Sequence, residues 1–146
     1  MRTINEIIIH CTATEAALPV TLATIDQWHK AKGWKGCGYH FIIHQDGSID
    51  MGRPITEAGA HCKGHNAHSI GIAYVGGIKE GIPCDTRTFN QTQTLVLLIK
   101  TICRTFTTIT AVKGHNEYSN KACPCFNVQA FCLLNGIIPY NFDNEG

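Results

Sequence analysis

Two histidines and one cysteine stand at positions from which they could bind a metal ion together. His10 ends a predicted strand, His115 follows another, and Cys123 comes shortly after His115. Because strand ends are rigid and the loops that leave them carry functional groups, these side chains are candidates for one site. Imidazole and thiolate are favoured zinc ligands, and a catalytic zinc site keeps its fourth position for water. Such an ion would keep a net positive charge, polarise a carbonyl and lower the pKa of bound water towards about 7.

Spacing alone leaves other interpretations of these residues open. His10 and His115 could be hydrogen-bonded structural residues, with Cys123 in the core. Cys123, Cys125 and Cys132 could instead hold a structural zinc ion, although their spacing does not match the usual C-x₂₋₄-C pairs. A cysteine–histidine nucleophile is a further alternative, although no protease signature surrounds its candidates. Those candidates are Cys11, Cys37 and Cys123.

The composition indicates a folded domain with little net charge. The chain has 146 residues, of which 44% are hydrophobic, and its Lys+Arg count of 12 nearly balances an Asp+Glu count of 11. A chain with this hydrophobic fraction and so little net charge is not intrinsically disordered. The lack of a basic excess argues against a nucleic-acid partner. We expect one domain over residues 1–146, with a core at about 6–136 and a polar tail at 139–146. We expect the protein to be a monomer.

Whether the cysteines form disulfides depends on the cellular compartment. Eight cysteines could form four disulfides, but disulfides persist only in an oxidising compartment. The first residues show no apolar segment of the length that a signal peptide needs, and no apolar run is long enough for a transmembrane helix. We therefore expect synthesis in the cytoplasm without a signal peptide, no membrane partner, and reduced thiols that are often buried as small hydrophobic side chains.

The elements that must position the candidate site include several short strands. Alternation and β-branched runs predict strands at residues 6–10, 38–44, 49–52, 70–75 and 109–112. An Asp46-Gly47 pair predicts a hairpin turn between the second and third of these. Residues 58–69 and 78–87 are predicted to be loops.

Three helices are predicted between and after these strands. The first begins at Thr21 or Thr24, ends at about Lys32 and would bury Leu22, Ile25 and Trp28 on one face. The second begins near Thr88 and carries an apolar stripe. The stripe consists of Leu95, Leu98, Ile99, Ile102 and Phe106. The third spans residues 128–134 and is capped by Asn127. The order of elements predicts a single α/β domain with a central mixed β-sheet flanked by about three helices.

Several ordered segments of the chain resemble the zinc-dependent N-acetylmuramoyl-L-alanine amidases of type 2. That family includes phage lysozymes of the amidase type and peptidoglycan recognition proteins. The resemblance extends from about residue 7 to 134 and is closest to the compact phage type. The matching segments are IHCTAT (9–14), WHKAKGW (28–34), GYHFII (38–43), DG (46–47), GAHCKGHN (59–66), SIGI (69–72), GHNE (114–117) and KACP (121–124).

The resemblance implies a role for individual residues. His10, His115 and Cys123 match the ligands of one catalytic Zn²⁺ ion. Tyr39 matches the catalytic tyrosine and lies in the strand predicted at residues 38–44, and Lys121 matches the catalytic lysine. None of these positions is substituted. That argues against a non-catalytic recognition protein, because such proteins typically lack the cysteine ligand.

The implied reaction is hydrolysis of the amide bond between N-acetylmuramic acid and L-alanine in peptidoglycan. The implied partner is thus peptidoglycan or a muropeptide, reached in the cell wall after release or met in the cytoplasm. His61, His65 and Asn66 lie in the loop that the resemblance places beside this substrate. The alternative function is a module that binds peptidoglycan without cleaving it.

Overall fold

A five-stranded mixed sheet lies at the centre of the protein, in a computed structural model that describes residues 2–139. In spatial order the strands are β4 (Ile49–Met51), β3 (Phe41–Ile43), β5 (Ser69–Tyr74), β1 (Glu6–Cys11) and β8 (Ala111–Gly114). β3 and β4 are antiparallel, whereas β1 is parallel to both of its neighbours and β3 is parallel to β5. This confirms the predicted mixed sheet. The predicted polar tail, 139–146, falls outside the described residues except for position 139.

A second, three-stranded sheet was not predicted. It consists of β2 (Thr14–Glu15), β6 (Gly77–Lys79) and β7 (Ile82–Pro83). The prediction of a loop over residues 78–87 is therefore wrong for its first part. Glu80 and Gly81 connect β6 to β7 with positive φ angles of 52° and 77°, which suits a tight hairpin turn. The Glu15 carboxylate accepts hydrogen bonds from both of their backbone N–H groups, and strands this short leave little periodic signal.

The three predicted helices are present as α1 (Leu22–Ala31), α2 (Phe89–Thr105) and α3 (Val128–Leu134). Thr21 caps α1 by accepting a hydrogen bond from the Thr24 backbone N–H, so Thr21 is the cap of the two candidates. Thr88 and Gln91 form a reciprocal capping box on α2. Asn127 caps α3, as predicted. Among residues 2–139, no helix is long and apolar enough to cross a bilayer.

The buried face of α1 differs from the predicted one. Ile25 and His29 are its buried residues, and Trp28 is 43% exposed. The polar His29 can occupy the buried position because its Nδ1 accepts a hydrogen bond of 2.8 Å from the Gly38 backbone N–H. The contact also ties α1 to the residues that precede β3.

β3 is shorter than the strand predicted at residues 38–44, and Tyr39 lies before it. Gly38 lies directly against the Ala60 carbonyl, where a Cβ atom would collide, and its own carbonyl accepts a hydrogen bond from the Ala60 N–H. These contacts tie Gly38 to the loop at Ala60, outside the regular strand β3, which begins at Phe41. The predicted strand placement of Tyr39 is therefore wrong, and this residue is carried by an extended segment that enters the strand.

The two faces of β1 have different surroundings. All six of its residues are buried. Ile7, Ile9 and Cys11 belong to the main hydrophobic core with residues of α2 and α3. Because alternate side chains of a strand point to opposite faces, Glu6 and His10 lie on the other face. β1 thus carries the core on one side and polar, chemically active groups on the other.

Candidate metal centre and active site

Three side chains from separate segments converge at the carboxyl-terminal edge of the sheet. His10 lies near the end of β1, and His115 begins a short 3₁₀ helix directly after β8. Cys123 lies in the segment of turns between that helix and α3. Because β1 and β8 are parallel neighbours, their ends meet at the same edge. The ligand atoms of the three residues all lie within 4.8 Å of one another.

A chain of hydrogen bonds determines which nitrogen of His10 faces this cluster. Ser69 Oγ donates its proton to the His65 carbonyl at 2.6 Å, so it accepts from His61 Nε2 at 3.2 Å. His61 Nδ1 is then the acceptor at 2.8 Å from His10 Nε2, which carries the proton. The remaining nitrogen, His10 Nδ1, keeps its lone pair and lies 3.8 Å from Cys123 Sγ. The ring is therefore oriented as a metal ligand requires.

The imidazoles of the site are held in their neutral forms. Burial lowers the pKa of His10 well below its ordinary value, and the nearby His61, His115 and Lys121 lower it further. Burial also lowers the pKa of His61 to about 3. The pKa of His115 falls for the same reason, with a smaller contribution from Lys121. Neutral imidazole is the form that binds a metal.

Cys123 is held in a setting that favours its thiolate. Its pKa is lowered, chiefly by a hydrogen bond from the Cys11 thiol, and the Cys11 backbone N–H lies 3.2 Å from Sγ. Donors to sulfur stabilise the charged form. The next residue, Pro124, is fixed by its carbonyl, which accepts a 2.7 Å hydrogen bond from the buried Tyr74 hydroxyl. Two neutral imidazoles and one thiolate form a donor set that suits zinc.

Tyr39 and Lys121 line the same small cavity as the three candidate ligands. This cavity has a volume of about 180 Å³. The Tyr39 ring centroid is 5.3 Å from that of His10, and Lys121 is exposed at the mouth. Withdrawal from water raises the pKa of Tyr39, so its hydroxyl remains protonated. The site therefore combines a neutral phenol with the exposed side chain of Lys121.

A larger cavity of about 510 Å³ shares lining residues with the small one, among them His61, His115 and Lys121. Of the residues predicted to contact substrate, His61 and Asn66 line it. Asn66 also accepts hydrogen bonds from the backbone N–H groups of His61 and Cys62, which shape the loop. His65 is turned towards Glu6 and does not line this cavity.

Comparison with known proteins identifies the family. The sequence profile of the N-acetylmuramoyl-L-alanine amidases matches residues 1–126. The chain belongs to this family. The match confirms the resemblance seen in the sequence, together with the predicted fold and enzyme class.

Individual relatives of this amidase include phage and animal proteins. The endolysin of Escherichia phage T7 is 38% identical over 135 residues, which is 92% of this chain and 89% of the relative. The amidase endolysin LysCS from Clostridium intestinale has a similar structure, with a TM-score of 0.80, 32% identity and coverage of 93% and 86%. Peptidoglycan-recognition protein SC2 of Drosophila melanogaster is 30% identical over 131 residues, covering 83% of this chain and 68% of the relative.

Two residues of this amidase support the candidate ligands through contacts that the sequence did not indicate. His61, which lines both cavities, is buried and hydrogen-bonded to His10. Glu117 accepts hydrogen bonds from the Gly114 N–H and from Gln129, and so braces the backbone that leads to His115. Both contacts join residues far apart in the chain or act through the backbone, so spacing could not reveal them.

Proposed function

We propose that this chain hydrolyses the amide bond between N-acetylmuramic acid and L-alanine in peptidoglycan, with Zn²⁺ bound by His10, His115 and Cys123. The observation that carries the proposal is the convergence of these three donors on a cavity that Tyr39 and Lys121 also line. Similarity to endolysins and to an amidase of known structure supports the substrate class.

The donor set fits zinc in spacing as well as in type. His10 Nδ1 and Cys123 Sγ are 3.8 Å apart. Nitrogen and sulfur ligands of a tetrahedral zinc ion are separated by about 3.6 Å, from bonds of about 2.05 and 2.3 Å. When bound, zinc supplies positive charge that polarises the scissile carbonyl and lowers the pKa of a water molecule. Three protein ligands leave one position for that chemistry.

Tyr39 and Lys121 are proposed to act on the reacting amide itself. Attack on the carbonyl carbon places negative charge on its oxygen, which needs donors already in position. The Tyr39 hydroxyl, protonated because of its raised pKa, can donate a hydrogen bond to that oxygen. The Lys121 ammonium can add charge from the mouth of the cavity. The departing amine of L-alanine also needs a proton, and both residues can deliver one.

The larger cavity is proposed to receive the glycan and peptide parts of the substrate. Lys63, Tyr118 and Ser119 line it together with His61 and Asn66, which offers hydrogen-bonding groups around an open groove. A glycopeptide is rich in hydroxyl and amide groups that such a surface can bind. We infer that His61 forms part of this wall and that Asn66 maintains its shape.

The test of the proposed function is product identification from purified cell wall and from soluble muropeptides. Zinc-loaded protein should release new L-alanine amino termini, and chelation should abolish the release until zinc is restored. Comparing the two substrates shows whether the protein acts on intact wall or on fragments. Cys123→Ala, which removes the proposed thiolate ligand, should release no L-alanine amino termini. Cys84→Ala, which removes an exposed thiol, is its matched control.

The alternative, a binding module, makes a different prediction in the same assay. The similarity to a peptidoglycan-recognition protein is the observation that favours it. Zinc-loaded protein that binds cell wall but releases no L-alanine amino termini would establish the binding module and contradict the enzyme.

A further inference from the structure

A second cluster of metal-binding side chains lies away from the proposed zinc centre. Glu6 begins β1, and His65 and His68 come from the loop that ends at β5. One carboxylate oxygen and one nitrogen from each imidazole lie within 4.8 Å of one another. Glu6 and His10 are four positions apart on the same face of β1, so the two clusters are separated by about 13 Å along the strand.

The three donors already have nearly the separations that a bound ion imposes. Glu6 Oε1 is 2.9 Å from His65 Nδ1 and 3.4 Å from His68 Nε2. Neighbouring nitrogen and oxygen ligands of a tetrahedral zinc ion are about 3.4 Å apart. An ion could therefore replace these contacts with only small movements of the side chains.

The Glu6 carboxylate is fixed in a way that presents one oxygen to the imidazoles. The Tyr118 hydroxyl donates a 2.7 Å hydrogen bond to Glu6 Oε2, which leaves Oε1 for the two histidines. His65 stacks on the Tyr118 ring with centroids 3.7 Å apart and an angle of 18° between the planes. Hydrogen bonds to a ligating carboxylate and packing of a ligating ring are typical supports of metal sites.

Charge also favours a cation at this place. The Glu6 side chain is only 7% exposed, and its ion-pair partners among residues 2–139 are His65 and His68. A buried carboxylate is costly unless its charge is balanced, and a divalent cation bound at this place would balance it. The two imidazoles are partly exposed, at 29% and 37%, so an ion has a path from solvent.

We propose that Glu6, His65 and His68 form a second site for a divalent first-row transition ion, with zinc as the expected occupant. Two imidazoles and a carboxylate suit Zn²⁺, Co²⁺ or Ni²⁺ better than Mg²⁺ or Ca²⁺. The ion joins β1 to the loop before β5 and, through Tyr118, to the segment after β8. Tyr118 lines the larger cavity, so the site stabilises a wall of the substrate groove.

The test is metal titration of the full chain with Zn²⁺ and with Co²⁺. The wild type should bind two equivalents. The first Co²⁺ equivalent should show the charge-transfer absorption of a cobalt–thiolate bond from Cys123, and the second should add visible bands without it. Cys123→Ala should bind one equivalent and lack the thiolate absorption.

Variants of the second cluster should remove only the second equivalent. His68→Asn is expected to weaken binding of that equivalent by at least about tenfold, because one of three ligands is lost. His65→Gln provides an independent measurement if His68→Asn folds poorly. His44→Asn is the matched control, since His44 is a partly buried histidine paired with Asp50 in a different part of the fold.

The outcomes separate the two sites. Saturation of the wild type at one equivalent with thiolate absorption overturns the second site and leaves the first intact. Saturation at one equivalent without that absorption overturns the first site instead. Two equivalents bound equally well by the wild type and by both second-cluster variants also overturn the proposal.

Discussion

Replacing His61 tests whether its contact with His10 orients a zinc ligand. His61 stands between His10 Nε2, at 2.8 Å, and Ser69 Oγ, at 3.2 Å. In His61→Leu, the His10 N–H group loses its acceptor. His10 is only 1% exposed to solvent in the wild type. A buried donor left without a partner costs about 1–3 kcal/mol. The His10 ring is then free to adopt the wrong tautomer or orientation for metal binding.

The expected size of the effect follows from the same contact. Loss of a residue that orients a metal ligand typically costs about 10–100-fold in metal affinity, or about 1.4–2.7 kcal/mol. This range agrees with the cost of the unpaired donor. We expect His61→Leu to bind zinc more weakly by this factor, measured by competition with a chromophoric chelator. His61→Asn, which can place an amide oxygen near the Nδ1 position, should recover part of the affinity.

Two controls make the measurement decisive. Unfolding of the metal-free variants in urea separates a general loss of stability from a loss of metal affinity. Gly59 and Gly71 lie against the His61 ring. A replacement side chain that packs poorly against them would therefore lower the stability measured in this control. Zinc affinity in His61→Leu equal to that of the wild type would refute the orienting role of the His10–His61 contact.

Further predictions concern the ligands, the catalytic groups and pH. Cys123→Ala should lose zinc and amidase activity together in metal analysis and product assays, and activity in this variant would reject the ligand assignment. Cys11→Ala should keep both, because it removes a thiol donor to Cys123 but no candidate ligand. Tyr39→Phe and Lys121→Ala should retain zinc but lose most turnover, and full activity in either would remove that residue from the mechanism. Burial lowers the pKa of His40 to about 4, below its unfolded value of about 6.5. The unfolded state therefore binds more protons between these values, so stability of the metal-free protein should fall as the pH drops from 6.5 to 4 in urea titrations; a flat profile would contradict this.

The part of the candidate site that lies at the ends of strands could be predicted from the sequence. His10, His115 and Cys123 were candidates for one site because they end or follow predicted strands. The resemblance favoured the metal-ligand interpretation among the open alternatives and added Tyr39 and Lys121. These residue roles stay predictions until the variants are measured, as do the monomeric state and the lack of nucleic-acid or membrane partners.

Other features depend on contacts between distant segments. The second cluster joins Glu6 to His65 across 59 positions of the chain, and periodicity carries no information on such a meeting. Trp28 was expected in the core because it has an apolar side chain, yet His29 is the buried residue since Gly38 offers it a hydrogen bond. Tertiary hydrogen bonds of this kind override the local pattern.

The position of β1 between two paired strands has a consequence for the order in which the active site opens. Its backbone pairs with β5 on one side and β8 on the other, and its side chains are buried. Amide protons in such a strand exchange with solvent only when the whole domain unfolds. Cys123 lies instead in a segment of turns, which can open locally. Ion exchange at the proposed zinc site is therefore expected to begin with release of the thiolate, while His10 stays in place.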